Sequence, residues 1–438
     1  MFYEKMYEMG NESKWSETNL YVRARKVKSG KEARIPVESF NVLVTGTSGY
    51  GKTVFTKEYV RGILQNDPNT FVVFFQIKPD DFTKEFLRQE DKIITFNGNI
   101  CPQENLFKWN MVKEIRSYPR SEWEEKIENM MQGLFEDILS DRRNIAWADS
   151  AKETFKRFLK VILYMYGNNP SNKEIIQALD EMSWGEILQF LWKYKPNRSF
   201  LRDNFEYEES MNENYKLNKK GSDIAFFLQE VKSKFGGTFV LADGDDTIHD
   251  YLHGSYGNGA RLFFLHDYEA RESLKIFEKI FLRKIIDSMM SLSAKTDIKM
   301  LMVLDEIDKV GYDFGLMEAA TLGRQFQLQL IVSTQSIDSL YALAPERHGR
   351  ERVEASLAGY PITVTFHPGD GHTIEVMQKL YGKERVQTVI MPYSRYDRPT
   401  VSVDERCVVE DQDFANLDVG ECYVKYRSAR PERVKIIV

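Results

Sequence analysis

Residues 40–53 read Phe-Asn-Val-Leu-Val-Thr-Gly-Thr-Ser-Gly-Tyr-Gly-Lys-Thr, and this stretch decides the fold. The run Gly46-Thr47-Ser48-Gly49-Tyr50-Gly51-Lys52-Thr53 has the spacing of a phosphate-binding loop. An apolar run, Val42 to Val44, precedes it, and a helix-like segment, Thr53 to Ile63, follows. A chance Gly-Lys-Thr in a glycine-rich turn would not need that strand before it or that helix after it. Glycines let successive backbone N–H groups turn inward on a polyphosphate at a helix N-terminus, where the helix dipole also favours negative charge. Lys52 is expected on the β- and γ-phosphates of a nucleotide, and the Thr53 hydroxyl on Mg²⁺.

The surrounding chain is too long, at 438 residues, for one ordinary core, so two domains or one domain with a large insertion are expected. The net charge of −6 gives no overall sign of a nucleic-acid partner, although a ring or cleft can hide a basic lining inside an acidic exterior. Cys101, Cys407 and Cys422 lie far apart, without metal-ligand spacing, which suits a reducing compartment. The six histidines, His249 to His372, show no metal spacing either. The first residues are charged, and no stretch approaches the roughly 18 apolar residues of a membrane span. A cytoplasmic protein without direct membrane insertion is therefore expected.

Before the loop, Leu20 to Val27 and Glu32 to Val37 alternate around Ser29-Gly30 and read as a hairpin. After it, Phe71 to Ile77 is a continuous apolar run of strand length, as in a parallel sheet covered on both faces. From about Ser121 the period becomes helical. Trp123 to Leu139, Trp147 to Tyr166, Lys173 to Leu179 and Trp184 to Trp192 are expected helices, and Lys195 to Lys220, with few apolar anchors, is an expected loop. Strand signals return at Arg261 to His266, and a helix from Ala270 to Met290 leads to the strand Met300 to Glu306.

That last strand ends in Asp305-Glu306, which is what the second half of a nucleotide site requires. An acid at its carboxyl end lies beside the metal held by Thr53. Asp305 is expected to hold Mg²⁺, directly or through water, and Glu306 to orient and activate the attacking water. The next strand, Leu328 to Ser333, leads to Gln335, an amide placed to sense the γ-phosphate or that water. Arg324, taken alone, reads as a surface residue.

Phosphate loop, helical insertion, Asp305-Glu306, then Gly323-Arg324 and Gln335 together resemble the FtsK/HerA class of ring-forming ATPases, above all the coupling proteins of conjugation and type IV secretion. Ala146-Trp147-Ala148-Asp149-Ser150-Ala151 resembles the Trp-rich helix start of their all-helical domain; Gly359 to Gly382 and Leu417 to Val424 also fit. The resemblance implies an α/β, RecA-like P-loop NTPase with a mainly parallel sheet flanked by helices and an inserted all-α domain. The corresponding division is an arm and hairpin at 1–35, a nucleotide-binding domain at 36–118 and 256–438, and the insertion at 119–255. It also implies ATP and Mg²⁺ as ligands, Lys52, Glu306, Arg324 and Gln335 as catalytic residues, and Arg324 as a finger reaching the neighbouring subunit's site. Two departures stand out. The family's strand after the first helix commonly ends in Asp-Pro-Lys-Gly, where this chain has Gln76-Ile77-Lys78-Pro79, and coupling proteins usually carry N-terminal membrane helices.

The resemblance implies a homo-hexamer that moves DNA, double-stranded, through a central channel, with a secretion, relaxase or nuclease partner. Two other readings stay open: a secretion ATPase acting on protein substrates, and a HerA-like scaffold for a nuclease or other effector. Arg271, Lys275, Lys279 and Arg283 recur every four residues opposite Leu274, Phe277 and Phe281. Such a stripe can track phosphates, or it can be a solvated face with Glu272 and Glu278 nearby.

Overall fold

The computed structural model describes residues 20–95, 102–140, 145–205, 207, 221–222, 224–226, 228–229, 244–254, 257–266, 271–292, 298–307, 310, 313–344, 349–390 and 400–437. The chain divides into two compact units, the first made of Met1–Glu85 with Leu292–Val438 and the second of Phe86–Ser291.

In the first unit the expected hairpin forms from β1 (Tyr21–Lys26) and β2 (Glu32–Pro36), which pair antiparallel. The phosphate-loop strand is β3 (Val42–Thr45), followed by the helix Lys52–Asn66 and β4 (Phe71–Gln76). The second unit supplies β5 (Lys92–Ile94) and β6 (Arg261–Leu265). Back in the first unit come β7 (Met300–Leu304), β8 (Leu328–Thr334), β9 (Ile362–Thr365), β10 (Lys383–Ile390), β11 (Thr400–Cys407), β12 (Glu421–Tyr426) and β13 (Glu432–Ile436). The large sheet of this unit has the order β2-β1-β13-β12-β9-β3-β8-β7-β4. From β9 to β4 the strands run parallel, and β12, β13, β1 and β2 extend them antiparallel. Every residue of β3, β4, β7 and β8 is buried, so both faces are covered; β7 is an unbroken apolar run, whereas Gln329 interrupts that of β8. Apart from that sheet, β10 and β11 form a two-stranded antiparallel ribbon.

The central strands are pinned at their amino ends by buried amides. Asn41 Nδ2 donates to the carbonyls of Ala320 and Gly359, both at 3.0 Å, while its Oδ1 accepts from Leu330 N–H at 2.9 Å. Gln329 Nε2 donates to the carbonyls of Glu38 and Phe40 at 2.9 and 2.7 Å. The helix Lys52–Asn66 packs through Phe55, Tyr59, Val60 and Ile63, the spacing of one helical face. Gly359 to Gly382 holds a strand and then a helix, Gly371–Tyr381, opened by the Asp370 side chain accepting from Thr373 N–H and closed at Gly382.

The second unit is mainly helical: Trp123–Ser140, Ile145–Met165, Asn172–Glu181, Trp184–Trp192, Arg198–Phe205 and Arg271–Leu292 are its longer helices. Ser171 with Glu174 and Ser183 with Glu186 form capping boxes that fix two of the starts. The unit takes in residues on both sides of the expected 119–255 insertion, and buried Glu114 joins several of its parts. Its carboxylate accepts from Trp109 Nε1 at 3.0 Å and from the N–H groups of Ile248 and His249 at 2.6 and 3.1 Å, and it pairs with Lys284 at 3.2 Å. Trp109 also meets Phe281 edge-on, with centroids 4.9 Å apart.

Two local expectations need correction. Residues 195–205 are not loop: a 3₁₀ turn, Lys195–Asn197, runs into the helix Arg198–Phe205, anchored by buried Leu201 and Phe205. Residues 208–220 of that expected loop lie outside the described residues. On the Arg271–Leu292 helix, Glu278 does not belong to a solvated face, because it is buried against His266 at 2.9 Å. Arg283 of the basic stripe pairs with Asp287 at 2.9 Å, and Phe277 and Phe281 are buried as expected. The side chains of Arg271 and Lys275 lie outside the described residues. Among the described residues, no helix is long and apolar enough to cross a membrane.

Candidate active site

The carboxyl ends of β3, β7 and β8 converge because the three strands are parallel neighbours, with Thr45 level with Thr334 and Leu304 with Val332. Each strand therefore delivers its next residues to the same edge of the sheet. From β3 comes the loop Gly46 to Thr53, in which Gly46 (φ 136°) and Gly51 (φ 111°) adopt backbone that side chains disfavour. A Cβ on Gly46 would also sit 2.8 Å from Phe366 Cβ, so the position requires glycine.

The loop is clamped from one side by the residues that follow β9. Thr47 N–H and hydroxyl both donate to the His367 carbonyl, at 2.8 and 3.0 Å, and the Tyr50 ring stacks on the His367 ring at 4.8 Å. The Tyr50 carbonyl accepts from Gly420 N–H at 3.0 Å. Phe366, His367 and Gly420 were not singled out in the sequence. Their only local signal is a turn-rich His-Pro-Gly after a short apolar run, and what gives them a role is pairing across hundreds of residues.

Inside the loop Lys52 is 5% exposed and donates to the Gly46 carbonyl at 2.6 Å. Thr53 Oγ1 donates to Asp305 Oδ2 at 3.2 Å. Asp305 is 4% exposed, and its other oxygen, Oδ1, is buried without a hydrogen bond. Burial pushes the Asp305 carboxyl above its ordinary range; Glu306 and Asp81 add to this, while Ser333 and Lys52 oppose it. A hydroxyl beside a carboxylate with an unused buried oxygen is a hard-oxygen donor pair of the kind Mg²⁺ takes, so Thr53 and Asp305 fit that ion.

Glu306 has φ 49°, a left-handed conformation uncommon for a residue with a side chain and characteristic of sites where geometry is imposed by function. Its Oε1 lies 3.4 Å from Gln335 Nε2 and 3.5 Å from Ser48 Oγ, and Gln335 Nε2 donates to Ser48 Oγ at 3.0 Å. Ser48, Lys52, Thr53, Asp305, Glu306 and Gln335 thus form one cluster drawn from three strand ends. Arg324 is not part of it. It occupies the 3₁₀ turn Gly323–Phe326, at the amino end of β8, with its guanidinium 4.3 Å from the centre of the Phe40 ring.

A parallel sheet with a phosphate loop after one strand and an acid pair after its second neighbour defines a RecA-like P-loop nucleotide-binding fold. The model of the type IV secretion-system coupling protein DNA-binding domain matches residues 33–434, and the chain belongs to that family. Among solved structures, the bacterial conjugative coupling protein TrwB in its unbound monoclinic form superposes with a TM-score of 0.69 at 17% identity, over 97% of this chain and 89% of that one. TrwB in complex with ADP and Mg²⁺ gives 0.65 at 18% identity, over 96% and 94%. VirB4 of Thermoanaerobacter pseudethanolicus gives 0.56 at 12% identity, over 96% and 97%. No individual curated protein sequence gives a match.

Proposed function

We propose that this chain is an ATP-hydrolysing motor that assembles in the cytoplasm as a ring, a homo-hexamer, and translocates double-stranded DNA through its centre. The observation that carries the proposal is the cluster of Lys52, Thr53, Asp305, Glu306 and Gln335 at one sheet edge, in a member of the coupling-protein family. TrwB in complex with ADP and Mg²⁺, and with a non-hydrolysable ATP analogue, supports ATP and Mg²⁺ as the ligands here.

In this reading Lys52 swings from the Gly46 carbonyl to the β- and γ-phosphates, and the loop's N–H groups bind the remaining oxygens. Thr53 and Asp305 hold Mg²⁺, which neutralises charge on the phosphates when bound. Glu306, oriented by Gln335, accepts a proton from water as the water's oxygen bonds to the γ-phosphorus and the bond to the ADP oxygen breaks. Arg324 acts in the neighbouring subunit. Its place at the amino end of β8, roughly 20 Å of strand from Gln335 at the other end, is beyond side-chain reach of its own site and supports that role.

The test is the hydrolysis rate with and without double-stranded DNA, alongside particle mass. A ring-sized particle whose rate rises with DNA is expected. Hydrolysis indifferent to DNA would move the proposal to a protein-secretion cargo, and slow hydrolysis with stable co-purification of a second protein to an effector scaffold.

A further inference from the structure

Among the described residues, the non-glycine positions with left-handed backbone are Glu306, Gln327 and Arg427, at φ 49°, 56° and 54°. Such conformations are uncommon for residues with side chains and gather where function imposes geometry. Glu306 belongs to the cluster at the carboxyl ends of the parallel strands. The other two lie at the opposite edge. Gln327 closes the turn that carries Arg324, its N–H donating to the Arg324 carbonyl at 3.1 Å. Arg427 follows β12, which runs antiparallel to β9 with Tyr426 level with Ile362, and Ile362 is in turn level with Val42. The end of β12 therefore returns to the amino ends of β9 and β3, where Arg427 N–H donates to the Pro361 carbonyl at 2.7 Å.

Both arginines are laid on one ring. The Arg324 guanidinium carbon is 4.3 Å from the centre of the Phe40 ring, and that of Arg427 is 5.2 Å from it. The two can be no farther apart than those distances laid end to end, a gap that the oxygens of adjacent β- and γ-phosphates can bridge. Phe40 is a fixed post: it is buried, its carbonyl accepts from Gln329 Nε2 at 2.7 Å, and its ring meets Tyr426 edge-on with centroids 6.5 Å apart. The nearby Glu38 carboxylate accepts from the Tyr426 hydroxyl. Both arginines are exposed, and among the described residues no carboxylate forms an ion pair with either. Like charges held side by side repel until an anion shares them, and the planar fork of a guanidinium matches phosphate oxygens.

We infer that Arg324 and Arg427 form a two-arginine phosphate site at the amino edge, and that Arg427 is a second residue reaching the γ-phosphate held by the neighbouring subunit. The inference rests on the proposed action of Arg324 in its neighbour's site and adds the residue that shares its ring. Charge developing on the transferring phosphoryl group then meets two guanidiniums instead of one.

The experiment measures turnover and binding of a fluorescent ATP analogue by the full chain, in rings of verified mass. Arg427→Ala should bind the analogue within about threefold of wild type and turn over on the order of a hundredfold more slowly. Arg427→Lys, which keeps the charge but not the fork, should recover part of the loss. Rings mixed from Arg427→Ala and Glu306→Gln subunits should regain activity. Rings mixed from Arg427→Ala and Arg324→Ala should not, since every interface then lacks one of the two arginines. No recovery in the first mixture, while Arg324→Ala with Glu306→Gln does recover, overturns the inference and leaves the action of Arg324 standing. If neither arginine variant recovers with Glu306→Gln, the reading of Arg324 falls and the inference falls with it. An Arg427→Ala protein that keeps its DNA-free rate and loses only the stimulation by DNA assigns the site to a nucleic-acid backbone, which also overturns the inference. Loss of the ring in both Arg427→Ala and Arg427→Lys marks a structural arginine and overturns it too.

Discussion

The two ends of the parallel strands use polar side chains in opposite ways. At the amino ends, Asn41 and Gln329 are buried and bond to backbone groups at 2.7–3.0 Å, so the donors of both amides are spent on the main chain. At the carboxyl ends, Ser48, Glu306 and Gln335 touch one another at 3.0–3.5 Å in partly exposed positions, and Asp305 keeps a buried oxygen unbonded. Short bonds to backbone lock a register; long side-chain contacts can be exchanged for those of a substrate. Polar residues of similar type thus separate into structural and chemical sets by what they bond to.

The sharpest way to break this comparison is at the carboxyl ends. Lys52→Ala should lose both ATP binding and turnover, because a cationic partner of the phosphates is gone. Glu306→Gln should retain ATP and trap it, with turnover lower by on the order of 10²–10⁴, since the amide cannot accept the water's proton. Equal turnover in Glu306→Gln and wild type, measured by phosphate release, would remove Glu306 from the chemistry. Next comes Arg324, the amino-end residue proposed to act elsewhere. Arg324→Ala should bind ATP almost normally and hydrolyse it on the order of a thousandfold more slowly. Rings mixed from Arg324→Ala and Glu306→Gln subunits should regain activity, because an intact Glu306 then meets an intact Arg324. Mixed rings no more active than the separate mutants would place Arg324 outside its neighbour's site.

Smaller effects sharpen the contrast. Asn41→Ala should lower unfolding stability by about 2–4 kcal/mol in urea titrations while the folded fraction keeps its turnover, because it strands Leu330 N–H and two carbonyls. Ser48→Ala, at an exposed position whose contact with Glu306 is long, should change turnover by about twofold. A loss comparable to that of Glu306→Gln would make Ser48 part of the chemistry instead of a replaceable neighbour.

Much of the carboxyl-end cluster was legible in the sequence because each part is local. A glycine-spaced loop follows one apolar run, an acid pair ends a second, and an amide follows a third, so Lys52, Thr53, Asp305, Glu306 and Gln335 could each be read within a few residues. The clamp on the loop could not, since the His367 carbonyl reaches Thr47 only through the β3–β9 register. Asn41 looks like any polar residue before a strand until Ala320, Leu330 and Gly359 are brought to it. Residues 195–205 read as loop because their anchors, Leu201 and Phe205, are too few to show a period, although packing makes them helical. The β10–β11 ribbon was missed for a related reason: its strands expose much of their length, including Val401 and Val403, and leave no apolar run.

The pairing of β3 with β8 and β9 also sets an order of events during synthesis. Val42 waits for Ile331 and Ile362, about 290 and 320 residues later, before its sheet exists, an interval of roughly 15–60 s at ordinary elongation rates. The second unit, Phe86–Ser291, emerges unbroken within that interval and can fold while the first half of the nucleotide site is still without partners. Ribosome-bound chains halted far enough past Ser291 for the exit tunnel to have released it, but before β8 emerges, should therefore shield the second unit from protease yet be cut within β3 and β4, and release to full length should protect both together.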